Sequence, residues 1–170
     1  GTDSTVPEDF YIRLNTTNGR TDAASAWNDT APTGSVFSIG SSNNVNGSGN
    51  TYVGYAWTSI PGFSQFGSYT GNGSADGPFI NCTFRPAMVL IKAANSSGGW
   101  SMHDKENLGY NFGNNPIFTY DAGTESTTQV MNLYSNGFQL ITTNSVYNSN
   151  GSSYIYAAWA EDPFKTALAR

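Results

Sequence analysis

An internal repeat is the feature that most constrains how this chain can fold. Residues 36–63 and residues 137–164 follow the same order of apolar, aromatic and turn-forming side chains. The matching pairs are Phe37 with Phe138, Ile39 with Leu140, Val45 with Val146, Tyr52 with Tyr154, Val53 with Ile155, Ala56 with Ala158, Trp57 with Trp159, Pro61 with Pro163 and Phe63 with Phe164. The offset is 101 residues from Phe37 to Phe138 and 102 residues from Tyr52 to Tyr154. Solenoid repeats are only about 20–50 residues long, so this repeat predicts a duplicated structural unit.

The two copies differ in length, because the segment FRPAMVLIKAANSSGGWSMHD at 84–104 has no counterpart before the first copy. The sequence therefore predicts one all-β domain over residues 1–170. Its parts are a truncated first repeat at 1–63, a Gly-rich connection at 64–83, a second repeat at 84–164 and a tail at 165–170. Since the chain starts at Gly1 without an initiator Met, we expect the missing half to precede residue 1 in a longer polypeptide.

Composition excludes several classes of protein. Charged residues make up 11% of the chain and the formal net charge is −5, which argues against coiled coils, highly charged disordered tails and binding to a nucleic-acid backbone. No apolar run approaches the roughly 18 residues that a membrane-spanning helix needs, so no membrane insertion is expected. Cys82 is the single cysteine and cannot form an internal disulfide, so we expect a structural, unreactive thiol.

Short runs of β-branched and aromatic residues predict strands and almost no helix. The predicted strands are 10–14, 36–40, 51–58, 63–70, 87–93, 99–103, 117–120, 128–134, 137–142 and 153–160. Asn- and Gly-rich stretches at 46–50, 135–137 and 149–151 predict tight turns, because Asn and Gly tolerate a positive φ. Many short antiparallel strands with regular turns indicate a β-sandwich or a jelly-roll-like fold.

Several motifs in this chain resemble a known family. They are GFSQFGSYTGNGSADGPFI at 62–80, FRPAMVLIK at 84–92, SNGFQL…SSYIYAAWAEDPFK at 135–165 and LNTTNGRTDAASAWNDTAPTGSVFSIG at 14–40. Together they resemble a domain of unknown function that recurs near the C-termini of tailed-bacteriophage proteins, especially those of marine phages. The resemblance covers nearly the whole chain. It implies a structural protein of the virion or tail, where the particle meets its host, and it supplies no catalytic residues.

The sequence gives little support for a catalytic site or a metal-binding site. His103, Asp104 and Glu106 form the one cluster of a His with carboxylates, but no nucleophile elbow accompanies it. The loop 72–77 places oxygen-bearing side chains at alternate positions, as a calcium loop does. However, Thr83 stands where an EF-hand would need a bidentate Glu. The acidic residues are too scattered to nominate the carboxylate pair of a glycosidase. We therefore expect no enzyme, no metal and no cofactor.

Tryptophans suggest carbohydrate binding, because sugar rings stack on flat aromatic faces. Trp57 and Trp159 hold equivalent repeat positions, which predicts core packing for both. Trp100 follows a polar, flexible turn, and we nominate Trp100, His103 and Asp104 as the ligand-binding residues. Trp27 could equally anchor its own segment to the core.

The family resemblance implies a module of a bacteriophage virion surface or tail fibre, and the low charge and exposed aromatic candidates add the expectation that it attaches to host-surface glycan. The alternative is an assembly or head-decoration domain that binds only other viral chains. Expected partners are copies of the chain itself, with a trimer preferred, and other virion proteins. A large exposed apolar face would favour the assembly role, and a concave pocket with polar and aromatic walls would favour glycan binding.

Overall fold

A computed structural model of the chain describes residues 6–106, 116–120 and 126–162. A 3-10 turn at Pro7–Asp9 precedes the first strand. The strands are β1 (Phe10–Tyr11), β2 (Thr21–Asp22), β3 (Ser64–Thr70), β4 (Phe79–Asn81), β5 (Pro86–Ala93), β6 (Ser101–Asp104), β7 (Ile117–Phe118), β8 (Met131–Tyr134), β9 (Gly137–Leu140) and β10 (Ser153–Ala160). Three single-turn helices are α1 (Ala24–Trp27), α2 (Asn43–Asn46) and α3 (Ser145–Asn148).

The strands form antiparallel sheets, which confirms the all-β class. One sheet has the order β3–β10–β5–β6–β7, a second has the order β4–β9–β8, and β1 pairs with β2. Strand β10 is hydrogen-bonded on both sides, to β3 and to β5, so that Tyr156 stands between Gly67 and Ile91. The predicted turn at Ser135 and Asn136 joins β8 to β9, which confirms that hairpin.

The hydrophobic core contains residues of both larger sheets. Alternation along β10 directs Tyr154, Tyr156 and Ala158 into it, as the period of two in this strand predicts. The ring of Tyr156 meets the edge of Phe138 of β9 at a centroid distance of 5.5 Å. Ile155 and Trp159 alternate with these residues, are half-buried and belong to the opposite face of the sheet.

An N-terminal segment is tied to the five-stranded sheet. The fully buried Lys92 of β5 donates from Nζ to the carbonyls of Thr17 (3.3 Å) and Ala93 (2.9 Å). The backbone N–H of Arg20 donates to the Ala94 carbonyl at 2.7 Å. Burial lowers the pKa of the Lys92 ammonium to about 8, because a low dielectric disfavours the charged form.

Two predicted strands, 36–40 and 51–58, were wrong. Both segments lack regular secondary structure, although their sequences alternate as strands do. A strand needs a hydrogen-bonded neighbour, and no described residue pairs with 51–58 as a strand. The short strands β2 and β4 were not predicted. Residues 163–170, which include Pro163, Phe164 and the predicted tail, lie outside the described residues.

Two turns share one hydrogen-bond pattern. The Tyr52 hydroxyl donates to the Asn43 carbonyl (2.6 Å) and accepts from the Gly47 N–H (2.8 Å). At an offset of 102 residues, the Tyr154 hydroxyl donates to the Ser145 carbonyl (2.6 Å) and accepts from the Ser149 N–H (2.8 Å). Three further features match at the same offset. Ser42 and Asn144 cap the single-turn helices α2 and α3. The side-chain amides of Asn46 and Asn148 donate to the carbonyls of Gly40 and Thr142, and Gly49 and Gly151 both have a positive φ.

Candidate functional site

An aromatic groove of about 880 Å³ lies in the part of the chain that the structure describes. Ile155 of β10 and Trp100 bound it on one side, and residues between 7 and 57 form the rest of its wall. Eight of the lining residues are aromatic, namely Phe10, Tyr11, Trp27, Phe37, Tyr52, Tyr55, Trp57 and Trp100. The groove thus brings together three of the four tryptophans of the chain, which lie far apart in sequence.

Short-range contacts hold these rings in place. The indole N–H of Trp100 donates to the Arg13 carbonyl at 2.8 Å, which fixes the orientation of the ring. The guanidinium of Arg20 lies 4.6 Å from the centre of the Phe10 ring, within the range of a cation–π contact. Tyr55 and Trp57 stack on each other at 5.9 Å. The rings of Phe10, Trp57 and Trp100 in the groove wall therefore each have a defined neighbour.

An exposed apolar strip forms part of the groove wall, and six of its seven residues line the groove. We use this name for Val36, Phe37, Ile39, Tyr52, Val53, Tyr55 and Trp57, each of which has more than two fifths of its surface exposed. Exposure is greatest at Val53 (78%), Tyr55 (74%) and Trp57 (66%). No charged residue occurs between positions 30 and 75. The prediction that Trp57 packs in the core was wrong, because its segment has no neighbouring strand among the described residues.

The three nominated ligand residues separate in the structure. Trp100 lines the groove, whereas His103 and Asp104 are not among its lining residues. His103 is 1% exposed and its ring meets Tyr147 at 5.8 Å, with Nε2 lying 3.3 Å from the Ser101 hydroxyl. Asp104 accepts a hydrogen bond from the Glu106 N–H at 2.9 Å. Alternation along β6 directs His103 inward, whereas Trp100 lies one residue before this strand.

The oxygen-rich loop 72–77 is engaged in hydrogen bonds within the protein. Asn72 Oδ1 accepts from the Ser74 N–H (2.9 Å) and from Asn148 Nδ2 (3.0 Å). Asp76 Oδ1 accepts from Gln139 Nε2 at 2.9 Å. These bonds tie the loop to the neighbouring turn and strand. Within residues 6–106, 116–120 and 126–162, no group of three or more His, Cys, Asp or Glu side chains is arranged to hold a metal ion.

The single thiol is part of the core. Cys82 is fully buried, and burial raises its pKa to about 12. A protonated thiol is a poor nucleophile, so its placement matches the structural role expected from the sequence. None of the helices that the structure describes has the length and apolar character to cross a membrane.

Comparison with known proteins places the chain in a family. A sequence model described as a domain of unknown function, DUF7483, matches residues 2–163. The chain belongs to the DUF7483 family. This confirms the resemblance to a domain of unknown function over nearly the whole chain. No curated protein and no solved structure matches this DUF7483 chain.

Sequence reasoning missed Val53 and Tyr55 as wall residues of the groove, although a signal for them was present. Residues 51–58 follow the same residue pattern as β10, but no segment between residues 1 and 50 follows the pattern of 84–104, which contains most of β5 and all of β6. Strand β5 is one of the two neighbours of β10. Without such a neighbour, residues 51–58 are expected to be unpaired on that side and exposed.

Proposed function

We propose that this DUF7483 chain is a non-enzymatic structural module of a bacteriophage virion that binds other virion chains through the apolar strip. The observation that carries the proposal is the exposure of Val53, Tyr55 and Trp57 within a stretch that has no charge. Monomeric proteins rarely expose contiguous large apolar patches, and such patches mark interaction sites. Interface cores are likewise depleted in charge and rich in aromatic side chains.

The virion setting is supported by the resemblance of the long motifs at 14–40, 62–80 and 135–165 to a domain of bacteriophage proteins. We place the module at the virion surface, working as a multimer and preferably a trimer, because avidity converts weak single contacts into firm attachment. We also propose that the two larger sheets are the layers of a sandwich built from a duplicated unit.

Attachment to host-surface glycan is the second candidate function. Trp27, Trp57 and Trp100 line one groove, and tryptophan faces stack on sugar rings. Glu8 and Arg20 also line it and offer polar atoms for hydroxyl groups. The assembly role ranks first because the most exposed side chains that line the groove, Val53 and Tyr55, are apolar or aromatic and lie in a stretch without charge.

Two measurements on the purified chain separate these roles. Sedimentation velocity over a wide concentration range should show association of the chain with itself, weakened by the double substitution Val53→Ser and Tyr55→Ser. The matched control is Leu14→Ser, since Leu14 is 59% exposed but does not line the groove. A glycan array with the same protein and with Trp100→Ala reports the second function.

Association that depends on Val53 and Tyr55 but not on Leu14 supports the assembly role. Saturable glycan binding that is lost in Trp100→Ala, from a protein that stays monomeric throughout, would replace it with the attachment role. A monomer that binds no glycan would contradict both the proposed self-association through the strip and the attachment role.

A further inference from the structure

We infer that residues 51–58 are the central strand of a second, incomplete β-unit, and that they dock between two antiparallel strands supplied by a polypeptide with the pattern of residues 64–104. The inference rests on the proposed assembly function and names the partner of the apolar strip. In this arrangement residues 51–58 act as a donor strand that joins the sheet of the partner, as in β-strand addition.

The matching turns establish which residues are equivalent. The hydroxyls of Tyr52 and Tyr154 make the same two backbone hydrogen bonds to their turns at a constant offset of 102 residues. The chain therefore leaves both turns in the same local geometry. Continuing at this offset, Val53 is equivalent to Ile155 and Trp57 is equivalent to Trp159.

Equivalent residues differ sharply in exposure. Tyr52 is 44% exposed, whereas Tyr154 is fully buried. Val53 and Trp57 are exposed, whereas Ile155 and Trp159 are half-buried. The cause is pairing, since β10 is hydrogen-bonded along its length to β3 and β5. No described strand occupies either of these places beside residues 51–58.

The interface that β10 makes within this molecule defines the partner. It consists of one strand like β3 and one like β5, both antiparallel to the inserted strand. Strand β3 carries no charge, and Lys92 is the one charged residue of β5. Such a partner is complementary to the uncharged strip, because pairing would bury no unmatched carboxylate or ammonium from residues 51–58.

Side-chain size further restricts the partner. In the complete unit, Tyr156 lies across Gly67, whose added Cβ would approach the Tyr156 ring to 2.7–2.8 Å. Gly54 stands at the position equivalent to Tyr156, and Tyr55 stands at that of Ala157. The natural partner should therefore carry a bulky residue in place of Gly67. It should carry smaller residues where Phe66 and Leu90 face Ala157.

A fusion protein tests this pairing on the full chain. A second copy of residues 64–106, bearing Phe66→Ala, Gly67→Tyr and Leu90→Ala, is attached to the N-terminus through a flexible Gly/Ser linker, which gives it a high effective concentration. The Gly67→Tyr change fills the space opposite Gly54 and prevents the added unit from accepting Tyr156 of β10. Hydrogen exchange of the amides of residues 51–58 should slow by about 100-fold relative to the unfused chain.

Val53→Pro is the matched control, because proline cannot donate to a ladder and is excluded from central strands. It should abolish the protection in the fusion, yet leave the melting temperature of the unfused chain unchanged. The equivalent change Ile155→Pro should unfold the unfused chain, since β10 is paired on both sides.

Unchanged exchange at residues 51–58 in the fusion would overturn the inference. If the strip still drives association of the unfused chain, the assembly role survives and only the donor-strand pairing fails. If the fusion is protected but the unfused chain is monomeric and binds glycan, the pairing stands and the assembly role fails.

Discussion

Tyr154 illustrates how a single side chain holds a turn in this protein. Its ring is fully buried, stacks on Tyr69 at 5.0 Å, and its hydroxyl completes the turn that contains α3. Burial raises its pKa, in keeping with a hydroxyl that stays protonated and donates to the Ser145 carbonyl. Tyr52 makes the same bonds, but its ring is partly exposed to water. Comparing the two tyrosines therefore shows how burial changes the contribution of these bonds to stability.

Tyr154→Phe should lower the free energy of unfolding by about 1–3 kcal/mol, because it leaves the part-buried Ser149 N–H and Ser145 carbonyl without their partner beside a buried ring. Tyr52→Phe should cost less than about 1 kcal/mol, since water can replace the exposed hydroxyl. Urea denaturation of both variants measures the difference. Equal costs would show that the bonds themselves, and not burial, determine the contribution.

At the scale of elements, the fit between β3 and β10 depends on one glycine. Gly67 lets the Tyr156 ring lie across β3, where its hydroxyl accepts from Gln65 Nε2 at 3.0 Å. A glycine normally weakens a strand, but here a large cross-strand neighbour covers it. Strand β10 therefore fits β3 by complementary size as well as by backbone pairing.

Gly67→Ala should destabilise the protein by about 1–3 kcal/mol, because the new methyl group overlaps the Tyr156 ring and forces it to shift. Gly34→Ala is the control, since no atom lies within 4 Å of a Cβ placed at Gly34. Thermal unfolding of the two variants measures the effect. A Gly67 variant as stable as the Gly34 variant would mean that the ring moves at no cost.

Sequence patterns correctly predicted segments that pair with a neighbouring strand, but they also predicted strands at segments that have no such neighbour. The prediction for 153–160 matches β10 in full, because the alternation of Tyr154, Ile155 and Tyr156 reflects a sheet that buries its two faces unequally. The same pattern at 51–58 gave a false strand, since local preference cannot report whether a neighbour exists. The groove was missed for the same reason, as Trp27, Trp57 and Trp100 converge only through tertiary structure.

At the scale of the whole molecule, one buried lysine makes the free energy of unfolding depend on pH in the alkaline range. The pKa of Lys92 is lowered from its ordinary 10.5 to about 8 in the folded chain. Between these values the unfolded chain binds the proton and the folded chain does not, so the free energy of unfolding rises with pH. Cys82 acts in the opposite direction above pH 9.0, because its folded pKa is raised to about 12.

Stability should therefore rise between pH 8 and pH 9, and this rise should disappear in Lys92→Met. Urea titrations at pH 7, 8 and 9 give the required free energies of unfolding. Lys105→Met is the control, since Lys105 pairs with Glu161 at 2.7 Å outside the core cluster. A rise that persists in Lys92→Met would assign it to another group.

The absence of charge between positions 30 and 75 determines how the apolar strip responds to its surroundings. Added electrolyte screens interactions between charges, and the strip has none to screen. The rest of the chain carries the net charge of −5, which makes copies repel one another in dilute buffer. Salt screens that repulsion and leaves the uncharged strip unaffected, so we expect the proposed contacts through Val53, Tyr55 and Trp57 to tighten as ionic strength increases.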